Sequence, residues 1–304
     1  MIKWQPPNSE IFVRVRKIHF FLKKVDRKRI NCTKFDYLCT DKARTKVWTM
    51  AVNTKIIAVS YLNTIPFIYG LRHHANLGAE LLLAPPADCY QKFLDGEADV
   101  ALVPAAMVPS LGDAEIITDY CIGALDKVRT VVVMSNSPIG KVRRIYLDAH
   151  SKTSVQLCGY LAKNLWRIEP EWVAMTDYEV LNHAEEGDAF LLIGDKVFDN
   201  EGKFNYTYDL AEEWHKATKL PFAFAVWVAR KGLSYEVRDE LQAAFTFGVE
   251  HIYEAILESD YADREYAYEY LTRNIDFLFD IQKHNALKKF WDFGLKVTPK
   301  VNPG

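Results

Sequence analysis

From Lys55 onward the sequence alternates short β-branched runs with amphipathic stretches, and this rhythm restricts the chain to βα units around a largely parallel sheet. Ile56-Ile57-Ala58-Val59 reads as a strand, and Pro66 opens a helix through Phe67, Ile68 and Leu71. Glu80 to Leu83 reads as the next strand, Ala87 to Leu94 as a short helix closed by Gly96, and Ala98 to Val103 as a buried strand ending at Pro104. Val128 to Ser135 is the most β-like run in the chain. A second set follows, with strands expected at Ile145 to Leu147, Trp172 to Met175 and Ala189 to Ile193, and helices at Thr153 to Asn164 and Tyr178 to Glu186. Asp209 is placed to cap a helix containing Trp214. Phe222 to Val228 then reads as a strand, and Ser234 to Phe293 as almost wholly helical.

The expected class is therefore α/β, followed by a helical C-terminal segment. The layout resembles the two-lobed type II periplasmic-binding-protein fold, in which the chain starts one lobe, builds the whole of the other and returns. On that resemblance the crossings fall near Ser135 to Lys141 and near Phe222 to Val226. Lobe one then takes residues 54–137 and 227–304, and lobe two takes 138–226.

A chain of 304 residues, 49% of them hydrophobic, can bury a sizeable core. Its apolar runs fall far short of the roughly 20 residues that cross a bilayer. Cys32, Cys39, Cys89, Cys121 and Cys158 are odd in number and contain no CxxC pair, which speaks against a disulfide framework or zinc knuckle and for a reducing compartment. The near-neutral total charge hides an asymmetry. Residues 1–50 hold 13 Lys or Arg against 4 Asp or Glu, and the remainder 25 against 36. Arg14, Arg16 and Lys17 interrupt the apolar stretch from Ile11 to Leu22, so it makes a poor secretory signal. The reading adopted is that Met50 is the functional start, that residues 1–49 are a basic extension, disordered or not translated, and that the protein is cytoplasmic.

In open α/β sheets ligands lie beyond the carboxyl ends of the strands. Four loops meet that condition: Ser60-Tyr61-Leu62-Asn63-Thr64, Val103-Pro104-Ala105-Ala106, the stretch from Asp148 to Ser154, and Gly194-Asp195-Lys196. Hydroxyl and amide side chains mark the first and third of these, which suits an anion. Ser151, Thr153 and Ser154 stand at a helix start, where free N–H groups and the helix dipole favour negative charge. Taken alone, Ser151 reads first as an N-cap. Asn63 reads equally well as an Asx turn and as a ligand-facing amide. Asp195 is expected to cap the turn at Val197-Phe198, His73-His74 to be solvated, and the tyrosines from Tyr261 to Tyr270 to pack between helices. The chain has no Walker A loop, no GxGxxG after a strand, no HExxH and no GxSxG.

Four segments carry a closer resemblance: Val59 to Pro66 (VSYLNTIP), Gly96 to Pro104 (GEADVALVP), Ser151 to Val155 (SKTSV) and Leu220 to Arg230 (LPFAFAVWVAR). In order and spacing they resemble signatures of the chorismate dehydratase family of the futalosine route to menaquinone, over about residues 54–295. The resemblance implies a lyase that removes water from chorismate to give 3-[(1-carboxyvinyl)oxy]benzoate, without metal or organic cofactor. It also implies a small-molecule substrate, and neither a nucleic-acid nor a membrane partner; oligomeric state is left open. Residue by residue, Asn63 matches the catalytic asparagine, and Thr153 and Ser154 match the carboxylate anchor. Thr130 stands where the second catalytic hydroxyl is expected, more often a serine, so the hydroxyl is kept with a stiffer side chain. Ser60, Tyr61, Thr64 and Ser151 complete the expected binding set. Two alternatives share the fold: a 1,4-dihydroxy-6-naphthoate synthase-like enzyme, which needs a histidine base where only His150 is available, and a solute-binding protein for an organic anion, which needs an export signal.

Overall fold

The computed structural model describes residues 54–75, 78–148, 151–294 and 296–300. The chain divides into residues 1–49, which lie outside the described residues together with the expectation of a basic extension, and Met50–Gly304, which holds every element below.

The first half opens with β1 (Lys55–Val59), a 3-10 turn (Leu62–Thr64) and α1 (Ile65–His73). Next come β2 (Glu80–Ala84), α2 (Pro86–Leu94), β3 (Val100–Pro104) and β4 (Ala114–Ala124). The chain continues through β5 (Val131–Ser135), β6 (Arg144–Asp148), α3 (Lys152–Leu161), β7 (Glu171–Met175), β8 (Asp188–Ile193), β9 (Tyr206–Asp209) and α4 (Leu210–Thr218). It ends with β10 (Phe222–Arg230), α5 (Tyr235–Glu250), α6 (Ile252–Glu258), α7 (Arg264–Arg273), β11 (Asp276–Leu278) and α8 (Ile281–Phe293).

These strands make two sheets. The first has the order β11-β4-β10-β3-β1-β2 and the second β7-β6-β8-β5-β9. In the first, β1 is parallel to β2 and β3, while β10 runs antiparallel to β3 and β4. In the second, β6 is parallel to β7 and β8, and β5 is antiparallel to β8 and β9. The central parallel strands are buried on both faces, and β3 and β8 are buried along their whole length. That explains why they read as continuous apolar runs rather than alternating ones.

The crossings differ from those expected. Val131–Ser135 belongs to the second sheet, paired with β8 and β9, so the chain changes sheet between Ala124 and Val131 rather than at Ser135 to Lys141. Every residue of β5 is buried, and a strand that is apolar on both faces carries no mark of which sheet it joins. The return falls between Thr218 and Phe222, because β10 pairs only in the first sheet. The tail also returns to the second sheet: Lys300 bridges Val173, and Gln156 holds the Lys296 and Val297 N–H groups at 2.7 and 3.0 Å. Tyr178–His183 is a 3-10 turn rather than a helix to Glu186. β4, β9 and β11 escaped the sequence reading: Asp119 interrupts β4, and β9 and β11 are only 4 and 3 residues long.

One close contact fixes α1, the helix that follows the 3-10 turn. A Cβ on Gly70 would stand 1.9 Å from the Ala244 carbonyl oxygen, and one on Gly248 1.8 Å from that of Pro66. The two glycines let α1 and α5 touch backbone to backbone.

Candidate functional site

The Leu62–Thr64 turn forms because Leu62 is driven into the core and the Thr64 N–H closes back on the Tyr61 carbonyl at 3.0 Å. Pro66 then starts α1 without needing a donor of its own. The turn leaves Asn63 only partly buried at the carboxyl end of β1. Its Nδ2 donates to the Tyr270 hydroxyl at 3.3 Å, and its Oδ1 accepts from the Thr64 hydroxyl at 3.3 Å.

Thr130 sits at the sheet crossing, immediately before β5. Asp209, buried at the N-cap of α4, shapes that crossing by accepting from the Val128 N–H at 3.2 Å and the Arg129 N–H at 2.6 Å. Arg129 takes a positive φ of 69°, and the Gly194 N–H donates to the Thr130 carbonyl at 2.9 Å. The Thr130 side chain is thereby placed 2.7 Å from the Tyr270 hydroxyl.

At the start of α3, Ser151 is the N-cap: its Oγ accepts the Ser154 N–H at 3.2 Å and donates to Ser154 Oγ at 2.6 Å. Thr153 Oγ1 accepts the Ala106 N–H at 3.1 Å, and Trp291 Nε1 holds the neighbouring Ala105 carbonyl at 2.8 Å. The loop after β3 is thus joined to the helix after β6.

Tyr61, Asn63, Thr130, Ser151, Thr153 and Ser154 all line one cavity of about 60 Å³. Val59, Pro104, Ile122, Val128, Phe224 and Gly194 contribute to its walls. Ser60 is not among them; it faces a neighbouring cavity of about 400 Å³ with Asp195, Arg72, Glu258 and Tyr261. Tyr61 is common to both cavities. Thr64 is fully buried and lines neither; it reaches the site only through the Asn63 amide. The larger cavity is the roomier, but the smaller one gathers the hydroxyl and amide groups.

A directional pattern runs through the small cavity. Thr153 Oγ1 accepts from a backbone N–H, which leaves its own proton to donate. Ser154 Oγ accepts from Ser151 and is left in the same state. Tyr61 lies close against Gly194, where φ is +63° and a Cβ would stand 3.2 Å from the ring. Burial, with the nearby charges of Asp148 and Asp195, pushes its phenol up from 10.0 to about 12, so it too remains a donor. An array whose oxygens are satisfied by the protein and whose protons meet no acceptor among the described residues suits a carboxylate-bearing ligand.

The sequence reading missed several groups. Tyr270 was expected only to pack, yet it is fully buried and its hydroxyl meets both Asn63 and Thr130. Asp195 does not cap its own turn: the turn at Gly194–Asn200 has no side-chain cap, and Asp195 lines the larger cavity. Burial raises its carboxyl above the ordinary range, opposed by a hydrogen bond from the Leu62 N–H. Asp148, fully buried at the end of β6, accepts from Lys196 at 2.7 Å and from Tyr178 at 2.8 Å. His73 pairs with Glu258, and His150 lies outside the described residues.

A family model described as menaquinone biosynthesis matches residues 54–295. The chain belongs to this menaquinone biosynthesis family. A relative from Thermus thermophilus named chorismate dehydratase is 27% identical over 199 residues, covering 55% of this chain and 70% of that protein. Solved structures place the family member in the periplasmic-binding-protein-like fold. A protein from Archaeoglobus fulgidus superposes with a TM-score of 0.62 at 21% identity, over 79% of this chain and 95% of that one. A Candida albicans gene product described as having the generic periplasmic binding protein fold gives 0.53 at 14%, over 83% and 98%. The ligand-binding component of an ABC-type import system from Staphylococcus aureus gives 0.55 at 12%, over 81% and 96%. Among the described residues of this menaquinone biosynthesis family member, no helix is long and apolar enough to cross a membrane.

Proposed function

We propose that this protein is a chorismate dehydratase, a hydro-lyase that converts chorismate to 3-[(1-carboxyvinyl)oxy]benzoate and water. The observation that carries the reading is the donor array at the start of α3, facing Asn63 and Thr130 across one small cavity. Chorismate has two carboxylates. Thr153 and Ser154, with their oxygens already satisfied, donate to one of them, and the N-terminal dipole of α3 adds to that attraction.

The elimination begins with loss of the proton at ring C3. The electron pair left behind is conjugated into the ring carboxylate, so the charge it builds falls on oxygens within reach of hydroxyl donors. The pair then forms the C3–C4 π bond as the C4–O bond breaks, and hydroxide leaves with the ring now aromatic. The substrate's own enolpyruvyl carboxylate accepts the C3 proton and returns it to the hydroxide, which departs as water. Asn63 Nδ2 keeps one N–H beyond the bond to Tyr270, and that donor meets the leaving oxygen. Thr130 supplies a second hydroxyl from the opposite sheet. In a site walled by Val59, Ile122, Val128 and Phe224, such donors count for more than they would in water.

A cavity of about 60 Å³ is small beside the roughly 300–1,000 Å³ of a usual ligand pocket, so entry requires the two sheets to part at the crossings. The reading is tested by incubating the purified full chain with chorismate and identifying the product by mass. Loss of one water with many turnovers is expected; binding without turnover would make the protein a receptor instead.

A further inference from the structure

We propose that Tyr270 is a positioning residue that sets the direction of hydrogen bonding at Asn63 and Thr130, so that both present protons to the substrate. This rests on the chorismate dehydratase reading and adds a residue to it. Tyr270 comes from α7, in the C-terminal helical part, 207 positions from Asn63 and 140 from Thr130. Its side chain is 1% exposed, packed edge-on against Phe198 with ring centroids 5.7 Å apart.

A phenol has one proton to give. Asn63 Nδ2 can only donate, so at 3.3 Å the Tyr270 oxygen is its acceptor. Thr130 Oγ1 lies 2.7 Å away, where either oxygen can donate; we assign that proton to Tyr270, because the buried phenol has no other acceptor among the described residues. Thr130, having accepted, keeps its own proton for the cavity. Asn63 Oδ1 is engaged by the Thr64 hydroxyl, which holds the amide with its nitrogen toward Tyr270. One hydroxyl therefore fixes the amide's orientation and the threonine's donor state together. Burial raises the Tyr270 phenol well above its ordinary value, although both partners act in the other direction, so the relay proton stays in place across the working pH range. Thr153 and Ser154 are held in the same donor state by Ala106 and Ser151, so the four groups present one polarity to the ligand.

The test compares Tyr270→Phe with the unaltered full-length protein in chorismate turnover. Removing one oxygen leaves the ring against Phe198. The expected result is a kcat lower by roughly 10–100-fold with KM within about twofold, since the substrate carboxylates are held elsewhere. In a Thr130→Val background, Tyr270→Phe should lower kcat less than it does alone, because the Thr130 part of its route to the substrate is already gone while the Asn63 part remains. An unimpaired Tyr270→Phe, or an undiminished loss on top of Thr130→Val, would overturn the assignment. A second measurement needs no variant. By NMR the Tyr270 hydroxyl proton should exchange slowly and show cross-peaks to the Thr130 methyl and the Asn63 side-chain amide; a rapidly exchanging hydroxyl overturns the assignment whether or not the Phe variant folds. An unaltered protein that consumes no chorismate would sink the function reading itself, which is distinct from an active protein whose Tyr270 is dispensable.

Discussion

Thr153 Oγ1 accepts the Ala106 N–H at 3.1 Å, and with that bond the loop after β3 in one sheet is tied to the helix after β6 in the other. The contact spans the cleft at the point where the ligand's anion is expected. Thr153→Val keeps the shape and removes both the acceptor and the free proton. It should raise KM for chorismate by roughly 10–150-fold, the scale of one hydrogen bond to a charged group, while kcat changes much less. Thr153→Ser should stay close to the unaltered protein. Steady-state kinetics of the pair checks this, and an unchanged KM in Thr153→Val would place the anion elsewhere.

Asn63→Ala separates a transition-state donor from a turn residue. Loss of one preorganised donor should reduce single-turnover rates by about 10²–10³-fold, with substrate binding weakened far less. As a turn residue alone, Asn63 would matter to folding: the melting temperature would fall and activity would follow only the folded fraction. Among the described residues, the Asn63 side chain bonds to the Thr64 and Tyr270 side chains and not to its own backbone, which favours the first outcome. Saturated Asn63→Ala enzyme with an unchanged rate would remove this residue from the chemistry.

The sequence made the loop positions legible because they follow strand ends, and strand ends are marked locally by apolar runs meeting Pro66, Pro104 or Ser151. It also made the helix-start hydroxyls legible, since N-cap chemistry is local in sequence. Tyr270 was not legible. On α7 it falls beside Ala267 and Leu271 on the buried face, the spacing of ordinary core packing, and its hydroxyl finds partners only through tertiary structure. Asp195 was misread for a related reason: a carboxylate after a strand and a glycine looks like a cap until the direction of the turn is known. The sheet crossing was displaced because a strand buried on both faces, as Val131–Ser135 is, gives no periodicity to say which neighbours it has.

Asp209 is a structural residue with a functional consequence. It is almost fully buried, and its carboxylate accepts from the N–H groups of Val128, Arg129, Ala211 and Glu212. Asp209→Ala should cost at least about 1–3 kcal/mol, the penalty for buried donors left without partners. For a chain of this size that lowers the melting temperature by at least about 2–4 °C per kcal/mol. Because the same carboxylate holds the crossing just before Thr130, the folded variant should also turn over more slowly than the unaltered protein. A variant with lowered stability and full kcat would show that the crossing keeps its shape without Asp209.

Alkaline pH offers a test of the buried phenols. Burial raises Tyr61 from 10.0 to about 12, and Tyr270, Tyr178 and Tyr266 move in the same direction, each with burial as the main cause. A phenol whose folded value lies above its unfolded value holds its proton longer in the folded state. The stability it contributes is therefore fully present below about pH 10, where both states are protonated, and is lost as pH rises through the folded value. For Tyr270, which is fully buried, the slope in that window is at most about 1.4 kcal/mol per pH unit, one proton's worth. Tyr270→Phe removes that proton. Denaturant midpoints measured between about pH 9 and pH 11 should fall for both proteins, and less steeply for the variant, because the remaining tyrosines and the lysines are common to both. Equal slopes would mean that the Tyr270 phenol ionises as readily in the folded chain as in the unfolded one, in conflict with its burial between Asn63 and Thr130.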